Sequence, residues 1–600
     1  MGAPDGRVVI ADVVFDLPLD HPFSYLVLDS LTVTPGQRVS APLGGRGTRV
    51  GVVVALRDGD AAGLRPVQRA VEAAPILSAG GLALGRWIAD ESLSSWGSTL
   101  LALQPPPPPP RSKRAEVLAP PLEPVLRGAA PAPEIWMDAA REERLAAALG
   151  DAPGGVLVIA PDTDSAARWA RRLDAARLDS GAGPAERRAA WFAAARGRVS
   201  IVVGTRGALL VPLSPPATLV LLDEHDPAHK PPGPPRLHSR DILLHRAALD
   251  GSHLIMLAGA PSAEVWQKSV AGTVTRVANG PAPWPEVIAS DTRGILRNHP
   301  LTLPLTRAIE TMPRAGKSVA LIVSRSAGAI GCNDCGAVLR CPECGVALQL
   351  RRDRRGIACR LCARSDALPE RCPGCGGHRL QPFGWDAERV EASVRRRFPR
   401  LTVSRTDPGA QVQVGTAALL RTPRPRPWGA VGFVWFDGFL RVPDFRAGER
   451  AFQMLWAAAE AVGAGGRLIV QTLHPDHYAI AAVRGQDRDA FYRQELEFRS
   501  ELGYPPFRRL CHVSARGKTA AGARALIDAA TDALAGVEGL TVYPAMALGA
   551  PGAAAAARMR SVVKGPEDLP RLVFRALRPF LERGRRSHGV VEIEMHPVSS

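Results

Sequence analysis

The chain lacks three features that would mark a membrane or secreted protein. Its 600 residues contain no uninterrupted apolar run of the roughly 18 residues that a membrane-spanning helix needs. The amino-terminal segment shows no basic stretch followed by an apolar one, so we expect no signal peptide. Of nine cysteines, eight fall between Cys332 and Cys375, which is unlike the spread of a secreted disulfide framework. The sequence therefore predicts a cytoplasmic protein that has no membrane partner.

The chain has fewer acidic residues than basic ones. The 75 lysines and arginines exceed the 58 aspartates and glutamates, which gives a formal net charge of +17. A surplus of this size favours a polyanionic partner, with nucleic acid as the first candidate. A basic protein without such a partner is the alternative, since the abundance of Arg, Ala, Gly and Pro also indicates a GC-rich genome.

Composition and hydrophobic periodicity divide the chain into several domains. The first region alternates short apolar runs with Pro and Gly and predicts a small β-rich domain. Pro105 to Pro110 are six consecutive prolines and indicate a stiff linker. Two later regions alternate buried strands with helices, which is typical of parallel sheets. The predicted boundaries are 7–104 (β-rich), 105–135 (linker), 136–290 (first α/β), 291–331 with 376–500 (second α/β), 332–375 (cysteine-rich insertion) and 501–600 (α+β).

The cysteine-rich insertion contains four Cys-x-x-Cys pairs. Each pair supplies two soft ligands from one tight turn, so four pairs can build two tetrahedral zinc sites with no open position for catalysis. Redox cysteines and disulfides are the alternatives, and four pairs in one cytosolic chain argue against both. The spacing alone leaves the pairing open. We favour nesting, with one zinc held by Cys332, Cys335, Cys372 and Cys375 and a second zinc held by Cys341, Cys344, Cys359 and Cys362.

Six short motifs occur in a fixed order around this insertion. They are DHPFSY (20–25), GTRGAL (204–209), DEHDPAHK (223–230), HSRD (238–241), QTLHPDH (471–477) and YPPF (504–507). With the four cysteine pairs, they make the chain resemble the PriA family of replication restart proteins. The resemblance runs from Val8 to about Pro597 and rests mainly on the zinc window between two α/β units.

The resemblance implies a multidomain α/β fold. It implies a 3′-DNA-end-binding domain over 7–104, a reduced or absent winged helix in 105–135, two RecA-like domains on a degenerate helicase framework, an inserted double zinc module and a C-terminal DNA-binding α+β domain. It also implies a protein near the nucleoid that recognises stalled or abandoned forks, binds branched DNA and helps assemble the primosome to reload the replicative helicase. The implied partners are primosome proteins and the helicase loader, with single-stranded DNA-binding protein as a further candidate.

The chain departs from the family where the motor residues belong. A phosphate-binding loop should end in Gly-Lys-Thr or Gly-Lys-Ser, yet residues 134–155 hold no lysine. Ala458 and Ala461 stand where the family has arginines that stabilise the transferring phosphoryl group. An acidic remnant of the nucleotide site survives as Asp223, Glu224, His225 and Asp226. We predict no ATPase or helicase activity, no catalytic residue, and ATP with Mg²⁺ as unlikely or vestigial cofactors. The Gly316-Lys317-Ser318 triplet precedes a strand and is interpreted as a chance match.

Two sets of residues are candidates for DNA contact by the same resemblance. The first is Phe23, Ser24, Tyr25 and Gly36 in the N-terminal domain, where Ser24 replaces the usual aspartate of the family. The second is Arg558, Arg560 and Lys564 in the C-terminal domain. The alternative interpretations are an ordinary strand with one aromatic buried and a solvated basic face. At the level of function, the alternatives are an active ATP-dependent 3′→5′ helicase and a zinc-ribbon interaction protein without fork specificity.

Overall fold

The computed structural model describes most of the chain, and all structural statements concern that part. The described residues are 8–109, 131–278, 280, 283–293, 299–324, 329–332, 334–335, 337–343, 345–351, 356–359, 364–383, 385–422, 424–442, 444–548, 557–582 and 589–598.

The N-terminal domain is an antiparallel sheet capped by two helices. Its elements are β1 (Val8–Phe15), β2 (Phe23–Leu26), β3 (Arg38–Pro42), β4 (Thr48–Gly59), β5 (Arg69–Ala70), α1 (Ala79–Ser92) and α2 (Trp96–Ala102). The strand order is β2-β1-β4-β3-β5. The Ser78 side chain caps α1 and the Ser95 side chain caps α2, each by accepting a backbone N–H of the first turn. The predicted β-rich domain is thus present.

A seven-stranded parallel sheet follows. Its elements are β6 (Glu134–Trp136), α3 (Arg141–Gly150), β7 (Val156–Ile159), α4 (Thr163–Arg172), β8 (Ala176–Leu178), α5 (Pro184–Ala195), β9 (Ile201–Gly204), β10 (Thr218–Leu221), α6 (Ser239–Asp250), β11 (His253–Leu257), α7 (Ala263–Val270) and β12 (Thr275–Val277). The strand order is β12-β6-β11-β10-β7-β9-β8. The central strands are apolar throughout because helices cover both faces of the sheet. β6 begins inside the stretch that the sequence assigns to the linker, since a three-residue strand carries almost no periodic signal.

A second parallel sheet carries the zinc module as an insertion. Its elements are β13 (Glu286–Asp291), α8 (Leu303–Arg314) and β14 (Val319–Ile322), then the module strands β15 (Ala329–Cys332), β16 (Gln349–Leu350), β17 (Ile357–Ala358), β18 (Ser365–Asp366) and β19 (Leu380–Phe383), then α9 (Ala387–Arg397), β20 (Val403–Ser404), β21 (Val412–Gly415), β22 (Trp428–Phe433), α10 (Asp437–Leu440), α11 (Ala447–Glu460), β23 (Val462–Thr472), α12 (Tyr478–Arg484) and α13 (Arg488–Glu501).

The sheet of the second α/β domain is parallel, whereas the sheet of the zinc module is antiparallel. The parallel sheet has the order β13-β23-β22-β14-β21-β20, and the module has a small antiparallel sheet in the order β18-β17-β16-β15-β19. β13 pairs with β23, so the second domain starts before the predicted boundary at residue 291. The module sheet likewise extends past both ends of the predicted range 332–375, because β15 and β19 pair to close its neck.

The C-terminal domain is an antiparallel sheet with two helices on one face. Its elements are β24 (Arg509–Gly517), α14 (Ala520–Ala535), β25 (Thr541–Val542), β26 (Met546–Leu548), β27 (Ala557–Gly565), α15 (Leu569–Glu582) and β28 (Gly589–Met595). The sheet order is β25-β27-β24-β28, with β26 also paired to β27. The predicted α+β class is confirmed. Among the described residues, none of the helices is both long and apolar enough to cross a membrane.

Gly36 holds the N-terminal sheet against the segment that leads into α1. Its φ is +85°, and a Cβ there would lie 2.0 Å from the carbonyl oxygen of Leu77. The amides of Ile76 and Leu77 both donate to the Gly36 carbonyl. The contact therefore needs a residue that has no side chain and tolerates a left-handed backbone.

We expect Gly36→Ala to lower the urea midpoint of the transition that reports the N-terminal domain. The matched control is Gly63→Ala, which has φ +77° but open space around the added methyl group. Because both variants share the backbone strain, their difference isolates the steric clash, for which we expect about 1–3 kcal/mol. Equal midpoints for the two variants would contradict this account.

Candidate functional sites

The neck of the zinc module brings the outer cysteine pairs together. β15 runs antiparallel to β19, which places Cys332 opposite Leu380. The Sγ atoms of the outer set all lie within 4.8 Å of one another; this set is Cys332, Cys335, Cys372 and Cys375. The Sγ atoms of Cys332 and Cys375 are 3.6 Å apart, and those of Cys335 and Cys372 are 3.7 Å apart.

These spacings fit a tetrahedral zinc ion. A zinc–sulfur bond of about 2.3 Å gives a tetrahedral edge of about 3.8 Å, close to the two measured distances. Backbone amides of Asp334 and Gly374 donate to the sulfurs of Cys332 and Cys372 at 3.3 and 3.4 Å, which stabilises negative charge on sulfur. The outer set can therefore hold one zinc ion, and its four thiolates would complete the coordination without a place for substrate.

The inner cysteines are described only in part. Cys341 and Cys359 are buried in a small core with Ile330, Leu348 and Ile357. Cys344 and Cys362 lie outside the described residues, so the second predicted zinc set remains a prediction.

We expect the double variant Cys335→Ser/Cys375→Ser to lose one equivalent of zinc per chain relative to the unchanged protein. These two positions are the exposed members of the outer set, so the substitutions remove ligands with little effect on the module core. Metal content measured by mass spectrometry checks the prediction. Cys511→Ala is the control, because this thiol is buried in the C-terminal core far from the module. Unchanged zinc in the double variant would contradict the assignment.

The four residues of the acidic remnant follow β10 at the carboxyl end of the first parallel sheet. Glu224 is fully buried, and its carboxylate accepts from the amide and hydroxyl of Ser262 at 2.8 and 2.6 Å and from Arg240 at 3.0 Å. Asp226 caps the turn at Ala228 and pairs with Arg421 of the second α/β domain at 2.6 Å. Asp223 and His225 are half-buried, and Asp223 has a left-handed φ of 47°. Glu224 and Asp226 are thus committed to internal contacts.

The resemblance puts a phosphate-binding loop in residues 134–155, a stretch that includes the connection between β6 and α3. α3 begins at Arg141, whose guanidinium makes two hydrogen bonds, of 3.1 and 2.9 Å, with the carboxylate of Glu460 in the second domain. Burial opposes charge on Arg141, but Glu460 outweighs it, so the pKa of Arg141 is raised. Trp456 Nε1 donates to the same carboxylate at 3.1 Å. A carboxylate of the second domain is therefore bonded to the first residue of α3.

The Gly316-Lys317-Ser318 triplet lies elsewhere. It connects the end of α8 to β14, and Lys317 is exposed with its Nζ 3.4 Å from the Ala464 carbonyl. The triplet does not open a helix, which is the geometry that a phosphate loop requires.

In the N-terminal domain, the candidate DNA residues point to opposite faces of β2. Tyr25 is buried, its hydroxyl donates to the Pro42 carbonyl at 2.9 Å, and burial raises its pKa. Phe23 is half-buried against Phe15. Ser24 faces the other side, where its hydroxyl donates to Asp12 at 2.7 Å. Only part of the predicted aromatic surface is thus available to a base.

Arg57 completes this polar cluster. Its guanidinium donates to the Ser24 hydroxyl at 3.0 Å and to Asp12 at 3.3 Å, and its side chain is 52% exposed. Gly36 is buried at the contact with Leu77 described above, where it serves packing.

In the C-terminal domain, the three basic candidates differ in exposure. Arg558 is exposed and lies 3.4 Å from Glu592. Arg560 is half-buried, and burial lowers its pKa. Lys564 is buried; its Nζ donates to the Leu502 carbonyl at 2.7 Å and lies 3.5 Å from the centre of the Tyr504 ring. Of the three, Arg558 is the one that offers an exposed guanidinium.

Sequence reasoning missed the charged residues that join the two α/β domains. Glu264 of the first domain pairs with Arg446 of the second, and Glu449 pairs with Arg499 at 2.7 Å beside them. All four are largely buried. No local pattern could have revealed them, since Glu264 and Arg446 are far apart in the chain and charged helix residues usually face solvent.

Comparison with known proteins identifies the N-terminal domain. Residues 12–105 match the family model of the PriA 3′ DNA-binding domain. The replication restart protein PriA of Treponema pallidum is 27% identical over 98% of this chain and 99% of its own length. PriA of Bacillus subtilis is 26% identical over 56% of this chain, and that match spans about half of its own length (46%).

A solved structure of RecG bound to a three-way DNA junction aligns with 70% of this chain and 46% of that one, at 8% identity and a TM-score of 0.34. The similarity to PriA proteins comes from sequence. On these two findings, the chain carries a PriA-type 3′ DNA-binding domain at residues 12–105 and is similar to PriA replication restart proteins over nearly its whole length.

Proposed function

We propose that this chain recognises branched DNA at stalled or abandoned replication forks and helps assemble the primosome that reloads the replicative helicase. The observation that carries the proposal is the matched 3′ DNA-binding domain at residues 12–105. The net charge of +17 supports a nucleic-acid partner. Primosome proteins, the helicase loader and single-stranded DNA-binding protein are the proposed protein partners, and the cytoplasm near the nucleoid is the proposed location.

The polar cluster of Asp12, Ser24 and Arg57 is the proposed contact surface of the 3′ domain. Arg57 brings an exposed guanidinium that can pair with phosphate. Asp12 lies opposite Ser24 in the strand register, so a carboxylate is present next to the shorter serine. Phe23 lies on the other face of β2, where it is half-buried and leaves part of its ring for a terminal base to stack on.

A second zinc ion in the inner cysteine set is also part of the proposal. One backbone hydrogen bond recurs at the outer and inner pairs: each first cysteine donates its amide to the carbonyl five residues later. These bonds run from Cys332 to Ala337, Cys341 to Val346, Cys359 to Arg364 and Cys372 to Gly377, all at 2.7–2.8 Å. The same bond at all four pairs supports four zinc knuckles, hence two zinc ions per chain.

We propose further that the protein acts without a motor. Motor activity needs a lysine on the phosphates and arginines opposite them. Residues 134–155 hold no lysine, and Ala458 and Ala461 stand at the positions of the arginines. The Glu460 carboxylate pairs with Arg141 at the start of α3, and like charges repel, which supports the proposal that a phosphate does not bind beside it. The family nonetheless leaves an active ATP-dependent helicase as the second candidate, which a hydrolysis assay separates from the first.

We expect no ATP turnover above background by the zinc-loaded protein with saturating forked DNA. The physical reason is the loss of both the arginines and the phosphate lysine. The arginine contribution by itself is about 10³–10⁵ in rate. Lys317→Ala is the matched variant and should behave like the unchanged protein. DNA-stimulated ATP turnover would contradict the motor-free proposal. If that turnover were lost in Lys317→Ala, the triplet at 316–318 would be identified as the nucleotide site.

We expect tighter binding to a fork with a 3′ end at the branch than to duplex DNA at the same salt concentration. Arg57→Ala should weaken fork binding about fivefold, because it removes one exposed phosphate contact. Arg49→Ala is the control, since Arg49 is also exposed on β4 but lies outside the cluster. Fluorescence anisotropy measures the affinities of the unchanged protein and of the two variants for fork and duplex DNA. Equal affinity for fork and duplex would favour the zinc-ribbon interaction protein instead.

A further inference from the structure

Side chains of the second α/β domain form hydrogen bonds with the backbone of one loop of the first α/β domain. This loop, residues 259–264, follows β11 and leads into α7. Its backbone bonds to four side chains of α11 and α13. Arg488 donates to the Gly259 carbonyl at 2.6 Å, Gln453 and Tyr492 donate to the Pro261 carbonyl, and Glu449 accepts from the Ala263 amide at 2.8 Å. Backbone groups at the mouth of the cleft are therefore satisfied by the opposite domain rather than by water.

Arg488 adds a second attachment at the neighbouring strand. Its guanidinium also donates to the Met137 carbonyl at 2.8 Å, directly after β6, and lies 3.9 Å from the centre of the Trp456 ring. One side chain thus ties together the ends of β6 and β11 and packs on α11. Two carbonyls and the ring hold Arg488 in this position, and burial lowers its pKa because desolvation opposes the charge.

Glu460 is the charged centre of this contact. Its carboxylate accepts from Arg141 and Trp456, and it approaches Gly259 so closely that a Cβ there would lie 2.6 Å from Oε2. A guanidinium, an indole N–H and a bare glycine surface around one carboxylate form a compact anion site. In this chain, the anion is covalently part of the second domain.

We propose that Glu460 is a built-in anion that holds the cleft between the two α/β domains closed, so that closure needs no nucleotide. The contacts of loop 259–264 and the Arg141–Glu460 pair then make one rigid body of two domains. The proposal does not rest on the role at forks, because closure is a property of the free protein.

Charge and low exposure make the Arg141–Glu460 pair a strong contact. The Arg141 and Glu460 side chains are only 17% and 16% exposed, so water screens them weakly. Removing the carboxylate leaves Arg141 buried without its partner, although it keeps the Asp138 carbonyl at 2.9 Å. A free anion that fits the same space should be able to replace the lost carboxylate.

Hydrogen–deuterium exchange on the full chain tests the proposal. We expect Glu460→Ala to speed exchange in loop 259–264 and at the start of α3 about fivefold or more, because a charge-assisted contact is lost. Glu460→Gln keeps an acceptor for Trp456 and should show a smaller change. Inorganic phosphate or sulfate, added to Glu460→Ala, should restore part of the protection. Mg²⁺-ATP should not change hydrogen–deuterium exchange in the cleft of the unchanged protein.

The control is Glu286→Gln, which breaks an exposed ion pair with Arg467 inside the second domain and should leave the cleft unaffected. Zinc content and exchange in the C-terminal sheet report whether each variant is folded. Unaltered exchange in Glu460→Ala would overturn the proposal, as would failure of both anions to restore protection. A change in the cleft of the unchanged protein on adding Mg²⁺-ATP would also overturn it. None of these readings depends on DNA binding, so they stand or fall separately from the proposed function.

Discussion

Charged side chains buried between the two α/β domains hold the centre of the molecule together. Glu264 lies between Arg446 and Arg499, and Glu449 accepts from both the Ala263 amide and Arg499. Burial opposes charge on Glu264, yet Arg446 and Arg240 outweigh it and keep its pKa well below the ordinary value. A carboxylate with a lowered pKa stabilises the fold above its unfolded pKa, and that contribution disappears as the pH falls through the folded pKa. The interface is therefore strongest at neutral pH, and a single lost partner leaves an uncompensated buried charge.

Patterns that are local in sequence predicted the fold well, and those that depend on assembly did not. The four cysteine pairs and the apolar runs of β7, β10, β11 and β22 are local signals, because knuckle turns and doubly covered strands impose their own composition. β25 and β26 carry almost no local signal because they are two and three residues long, and β27 mixes Arg and Lys with Val. The Arg141–Glu460 pair joins positions more than three hundred residues apart, and only the folded chain reveals it.

Burial makes some of the DNA-contact residues that were predicted from the family inaccessible to DNA. Tyr25 and Lys564 match the positions of predicted DNA contacts, yet both are buried and bonded to main-chain carbonyls. In contrast, Arg57 has no part in any motif and offers an exposed guanidinium beside Ser24. A motif position specifies a place in the fold, while exposure depends on what the neighbouring domain covers. Lys564 is covered because the chain around Leu502 and Tyr504 packs on β27.

Aromatic and charged contacts connect the two α/β domains with the N-terminal and C-terminal domains. α1 of the N-terminal domain stacks Trp87 on His245 of the first α/β domain, with ring centres 3.9 Å apart, and pairs Glu91 with His596 of the C-terminal domain at 3.0 Å. Lys230, at the end of the acidic motif, donates to Glu594 and to the Met595 carbonyl. The loop that would sense nucleotide in a motor is thus bonded to the C-terminal sheet. A closed cleft would then set a constant separation between the two candidate DNA-binding domains, which suits reading the shape of a branch better than moving along a strand.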